Sequence, residues 1–149
     1  MTRFSLDTNV LVYAADHAAG ERHQRALHIV DRAVRRQCVL TLQAVAEFFY
    51  VTTRKRMVAR AEAAALLRDW TTEFPTIAAD SAALWTALEF VVDGRFGWWD
   101  ALLLATVERH GCEVLLSEDM QDGVHFGGVT VLDPFAGDEL PEAVAALLR

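Results

Sequence analysis

Short apolar runs alternate with longer segments of helical periodicity along the whole chain. Residues 3–6, 38–42, 113–116 and 129–132 each read as a strand, and 76–78 as a candidate edge strand. Between them, apolar residues recur at helical spacing. In 21–36 these are Ala26, Leu27, Val30, Ala33 and Val34; in 43–56 they are Ala44, Phe48 and Val51. Further helices are expected over 59–73, from a cap at Asp80 or Ser81 through Leu84, Leu88 and Val91, over 98–110 and over 141–148. The stretch 8–13 fits a short helix. Parallel strands need crossover helices, so this alternation predicts an α/β/α sandwich of Rossmann-like type. Its central, mostly parallel sheet would have about four or five strands.

A chain of 149 residues has the length of one domain, and no internal repeat or linker divides it. Hydrophobic residues make up 53%, too many for a disordered chain. No apolar run approaches the ~20 residues that span a bilayer, so no membrane partner is expected. The start Met1-Thr2-Arg3 leads straight into a strand without an apolar signal region, so a cytoplasmic location is expected. Cys38 and Cys112 flank apolar runs and lack metal-ligand spacing; they read as reduced core residues. The net charge of −7 argues against a general nucleic-acid coat protein. It leaves room for a nuclease, because a bound divalent cation inverts the field of an acidic cluster.

Four carboxylates stand out against this frame. Asp7 ends the first strand, where open α/β sheets place their ligand crevice. It reads equally well as a helix cap. Glu47 and Asp100 each sit in an otherwise apolar helical segment, so each is expected to be buried with a partner or an ion. Arg54, Arg56 and Arg95 are the arginines near enough in sequence to pair with them. Asp119 follows the strand at 113–116, with Glu118 and Asp122 as rivals that spacing alone does not separate. Four like charges in one crevice call for protonation or a cation. An all-oxygen set favours Mg²⁺ or Mn²⁺ over zinc.

Four motifs carry a resemblance to a known family. They are Leu6-Asp7-Thr8-Asn9-Val10-Leu11; Glu47-Phe48 with Thr53-Arg54-Lys55; Trp99-Asp100-Ala101-Leu102-Leu103-Leu104-Ala105; and Leu116-Ser117-Glu118-Asp119-Met120. In this order, and over about the whole chain, they resemble the PIN-domain ribonucleases, specifically the VapC-type toxins of type II toxin–antitoxin pairs. The Ser-x-Asp form of the last motif favours Asp119 over Glu118, and Asp122 keeps a supporting role in view. The resemblance implies a PIN-like fold and a Mg²⁺- or Mn²⁺-dependent endoribonuclease that hydrolyses RNA with a metal-activated water. It implies catalytic roles for Asp7, Glu47, Asp100 and Asp119, with Asp7, Asp100 and Asp119 as metal ligands. Glu47 would act through water or position the nucleophile, and Thr8, Asn9 and Ser117 would support the ligands. It further implies a homodimer and a small VapB-type antitoxin.

RNA also has to be held. Arg54, Lys55, Arg56 and Arg60 form the densest basic cluster, which reads either as a phosphate contact or as a solvated helix end. Trp98 and Trp99 could stack on bases or fill a core. Two other readings compete. One is a PIN-like module that binds without cutting; the other is a phosphatase of the haloacid-dehalogenase type. The phosphatase needs a second aspartate two residues after the first, and Asn9 stands there.

Overall fold

The computed structural model describes residues 1–149. Its elements follow the order β1 (Phe4–Leu6), α1 (Thr8–Ala15), α2 (Glu21–Ala33), β2 (Cys38–Thr41), α3 (Leu42–Arg54), α4 (Arg60–Glu73) and β3 (Thr76–Ile77). They continue with α5 (Ser81–Val92), α6 (Trp98–Arg109), β4 (Val114–Leu116), β5 (His125–Phe126), β6 (Val129–Leu132) and α7 (Glu142–Leu148).

All six strands join one sheet in the order β3-β2-β1-β4-β6-β5. Every pairing is parallel except β5 with β6. The sheet therefore has one strand more than expected. The extra strand is the two-residue β5, which pairs back on β6 through Gly127-Gly128. Gly127 has φ +54, a conformation that suits glycine at a two-residue hairpin. The helix expected over 21–36 closes earlier, at Ala33. Arg35 and Arg36 donate to the carbonyls of Arg32 and Ala33 in a tighter final turn, which frees the chain to enter β2.

Alternation along the strands feeds two cores, one on each face of the sheet. Phe4, Leu6, Cys38, Leu40 and Leu116 face a core closed by α1, α2, α3, α4 and α7, including Ile29, Phe48 and Trp70. Val39, Leu115, Val129 and Val131 face the other, closed by α5 and α6. Leu103, Leu104, Ala105 and Val107 of α6 are all buried there, as its apolar sequence predicts. Both cysteines are buried and free. Asp80 caps α5 by accepting from the Ala83 N–H at 2.9 Å. No helix is long and apolar enough to cross a membrane.

Strand order fixes where a ligand can bind. From β1 the chain moves outward to β2 and β3, then crosses back so that β4 lies on the other side of β1. The two directions part between β1 and β4, and the crevice of an open α/β sheet lies at that point, beyond the C-terminal ends of the strands.

Candidate active site

Asp7 follows β1 and Ser117 follows β4, so both stand at this switch point. The Asp7 backbone N–H donates to the Leu116 carbonyl at 2.9 Å, and that of Ser117 to the Leu132 carbonyl at 3.0 Å. Both sequence readings of Asp7 hold together. It is the N-cap of α1, its Oδ1 accepting from the Thr8 N–H at 2.7 Å. It is also a buried carboxylate, whose Oδ2 accepts from the Ser117 hydroxyl at 2.7 Å.

Ser117 Oγ ties the two loops together. It donates to Asp7 and accepts from Asn9 Nδ2 at 3.2 Å and from the Asp119 N–H at 3.1 Å. The Asn9 Oδ1 accepts from the Glu118 N–H at 3.2 Å. Thr8 Oγ1 donates to Glu47 Oε2 at 2.9 Å and lies 3.2 Å from the Ala44 carbonyl, linking α1 to α3. Gln43 Nε2 donates to the Trp99 carbonyl at 3.0 Å, which joins the first turns of α3 and α6 and brings Asp100 to the same edge. Thr8 thus touches Asp7 and Glu47 and Ser117 touches Asp7, whereas Asn9 reaches the set only through Ser117 and the Glu118 backbone.

The charges respond to this grouping. Burial pushes the Asp7 carboxyl from the usual 3.8 up to about 6. Bonds from Ser117 and Thr8 oppose the rise, while the charges of Asp119 and Asp100 add to it. Asp100 is raised too, first by burial and then by Asp119 and Glu47. No cation relieves the set. The three ion pairs of the molecule are Arg22–Glu118, Arg109–Asp80 and Arg149–Glu142. Of the arginines considered as partners, Arg54 packs on the Tyr50 ring and Arg95 on Phe90 and Phe96.

The expectation that Glu47 is buried does not hold. Val45 and Phe48 take the inward positions of α3, and Glu47 lies exposed at the rim of the crevice. Asp119 is exposed as well, and Asp100 is half-buried. No three carboxylates converge on one ion-sized point. The donor chemistry nevertheless fits a hard divalent cation. All the donors are oxygens, and Mg²⁺ characteristically takes one or two carboxylates and keeps several waters. A buried Asp7 that is hard to ionise without a cation supports the same fit.

The structure also separates the rival acids. Glu118 is turned away from the set: its Oε1 accepts from the Tyr13 hydroxyl at 2.5 Å and its Oε2 meets Arg22 Nε at 2.9 Å. Asp122 accepts from the Asp133 N–H at 2.8 Å and fastens the loop before β5. The Tyr13 and Arg22 lock escaped sequence reading because nothing local links residues 13 and 22 to residue 118. Next to the acids lies a crevice of about 310 Å³, walled by Asn9, Val12, Tyr13, Val51 and Met57, with Glu47, Asp119 and Lys55 on its border. Arg54 and Arg60 line a different groove, with Tyr50. Trp98 packs against the second core, whereas Trp99 is exposed.

A family model described as PIN domain matches residues 5–121. Comparison with curated proteins gives no match. Among solved structures, the chain is similar to VapBC2 from Rickettsia felis bound to a DNA fragment from its promoter. The TM-score is 0.64 and the identity 12%, over 87% of this chain and 97% of that one. DNA-bound VapBC from Salmonella typhimurium gives 0.63 and 15%, over 88% and 97%. VapC20 from Mycobacterium tuberculosis, a sarcin–ricin loop cleaving toxin, gives 0.61 and 17%, over 78% and 89%. At these identities the likeness is one of fold. The match over residues 5–121 includes all four acids, and the chain belongs to the PIN-domain family, with the fold that VapC toxins share.

Proposed function

We propose that this protein is a Mg²⁺- or Mn²⁺-dependent endoribonuclease, acting in the cytoplasm as the toxin of a type II toxin–antitoxin pair. One observation carries the reading. Asp7 is buried and fixed at the switch point of the sheet, with Asp100 and Asp119 close enough to raise its carboxyl and no basic side chain paired with any of them.

Asp7, Asp100 and Asp119 would hold the cation. A divalent ion bound there supplies a water of lowered pKa and positive charge against the phosphate. The chain's own residues do the rest. Ser117 and Thr8 fix both oxygens of Asp7, so the first ligand needs no reordering. Asn9 and Ser117 hold the backbone that carries Asp119. The Thr8 hydroxyl aims Glu47 at the crevice rim, where its free oxygen can orient the attacking water. Cleavage of a fluorescent single-stranded RNA with Mg²⁺ or Mn²⁺ tests this reading, with Asp7→Asn and a chelator as controls. Metal-dependent cutting that the variant lacks is expected. Cutting that survives the substitution would overturn the assignment.

Two partners belong to the same reading. The similar structures from Salmonella typhimurium and Klebsiella pneumoniae are a VapBC assembly and a toxin–antitoxin complex, and a VapB-type antitoxin is proposed here. A homodimer is proposed as well, supported by the exposed apolar stripe Leu84, Trp85, Leu88 and Val92 on α5. A purely monomeric mass by light scattering would remove it.

A further inference from the structure

The turn after α3 carries the molecule's one backbone anomaly outside glycine. Arg56 has φ +55, the left-handed region that L side chains rarely adopt. The hydrogen bonds explain the geometry. The Arg56 N–H donates to the Thr53 carbonyl at 3.3 Å and the Met57 N–H to that of Thr52 at 2.9 Å. This pair of bonds closes a helix C-terminus in the Schellman manner, where the left-handed position is usually glycine. Here a residue with a Cβ holds it, and strain of this kind gathers at functional sites.

The turn folds Lys55 and Met57 back onto the acidic side of the molecule. Both line the 310 Å³ crevice together with Tyr13, Glu47 and Asp119. Lys55, the only lysine of the chain, makes no ion pair although two carboxylates border the same space. Val12, Val51 and Met57 give the same crevice an apolar wall. The Tyr13 ring is held on three sides. Its hydroxyl bonds Glu118, its edge packs on Phe135 at 4.9 Å, and Arg22 lies 5.8 Å from its centre. An apolar wall beside an unpaired cation fits a ligand with a flat apolar body and an anionic group. At the small end of the roughly 300–1,000 Å³ range of ligand pockets, it has room for one such unit.

We infer that Lys55 and Met57 form the seat of a single unstacked nucleotide of the substrate RNA, its base against Met57, Val12 and Val51 and its phosphate toward Lys55. The inference rests on the ribonuclease reading and divides the basic cluster. Arg54 is spent on Tyr50, its Nη1 donating to the hydroxyl at 2.8 Å, and Arg60 lines the other groove. Single-stranded RNA is recognised in this way, by bases splayed out of the stack and phosphates met by cations.

The test is fluorescence anisotropy with a randomised pool of short fluorescein-labelled single-stranded RNAs, in chelator so that binding is read without cutting. Lys55→Gln is expected to weaken binding about tenfold and to lower the slope of log K against log salt by about 1. Met57→Gln, which puts a polar group on the apolar wall, should weaken binding several-fold, whereas Arg56→Gly only relaxes the turn and should leave binding unchanged. Arg60→Gln should bind as the wild type does. The seat is overturned if Lys55→Gln and Met57→Gln bind normally, or if Arg60→Gln loses as much. It is equally overturned if the first two variants lose only the antitoxin. Wild-type cutting alongside normal binding by both variants removes the seat alone. Wild-type protein that neither binds nor cuts any member of the pool removes the ribonuclease reading with it.

Discussion

Replacing Asp7 by asparagine should make the metal-free protein more stable at neutral pH. The folded carboxyl titrates near 6 instead of 3.8. A shift of about 2 pH units corresponds to ~3 kcal/mol that ionisation removes from folding. The sign follows from proton uptake. Between about pH 4 and 6 the folded state holds a proton that the unfolded state has lost, so wild-type stability falls as pH rises through this window. Above about 6 the full penalty is present; below about 4 it is absent. Asparagine carries no such penalty, yet it disturbs the hub. Ser117 Oγ already donates to Asp7 and accepts from Asn9 and Asp119. An amide at position 7 would present Ser117 with a third donor, so one bond worth ~1 kcal/mol is lost. The net gain is ~2 kcal/mol, or roughly 4–8 °C in unfolding midpoint for a chain of this size. Thermal unfolding in chelator at pH 7.5 and at pH 4 reads both the gain and its disappearance. Adding Mn²⁺ should reverse the order, since an ion bound only to the folded wild type adds about 2.7 kcal/mol at one hundred times its Kd. A variant that unfolds at or below the wild-type temperature in chelator at pH 7.5 would refute the burial argument. A pH trend of opposite sign would do the same.

Asp100→Asn should abolish divalent-ion binding by titration calorimetry and keep the circular dichroism spectrum. Lost helicity would instead make Asp100 a structural residue of α6. Ser117→Ala deprives Asp7 of a donor and leaves the Asn9 amide and the Asp119 N–H without their acceptor, so it should destabilise by about 1–3 kcal/mol. With that donor gone the Asp7 carboxyl rises further, so Mn²⁺ binding in this variant should move to higher pH; an unshifted binding profile would detach Ser117 from the metal ligand.

Sequence carries those features that one segment determines by itself. The parallel sheet is legible because each strand and each helix shows its own period. The place of Asp7 is legible because the strand before it fixes its backbone. The β5 hairpin had a signal in Gly127-Gly128, but His125 and Phe126 are too few to show an alternation, so the dipeptide reads as loop. Glu47 is exposed against expectation because an acid among apolar residues shares its segment with the core without sharing its face. On α3 the inward stripe is Val45, Phe48 and Thr52, and Glu47 points off it.

The choice between Glu118 and Asp119 shows why a site is harder to read than its scaffold. The two acids are adjacent, equally charged and carried by the same loop. Their fates are decided by Tyr13 and Arg22, which take Glu118 out of play, and by Ser117 and Asn9, which hold the backbone beneath Asp119. Each of those partners lies on another element except Ser117, and the fold alone brings them to the loop. The same holds for the basic cluster. Arg54 and Lys55 are neighbours in sequence, yet one packs on Tyr50 and the other opens on the acids, because α3 ends between them in a left-handed turn. A motif therefore states which chemistry is available at an edge of the sheet. Which of its residues deliver that chemistry depends on contacts between segments far apart in the chain, and in this molecule those contacts set the charge of Asp7, the direction of Glu118 and the position of Lys55.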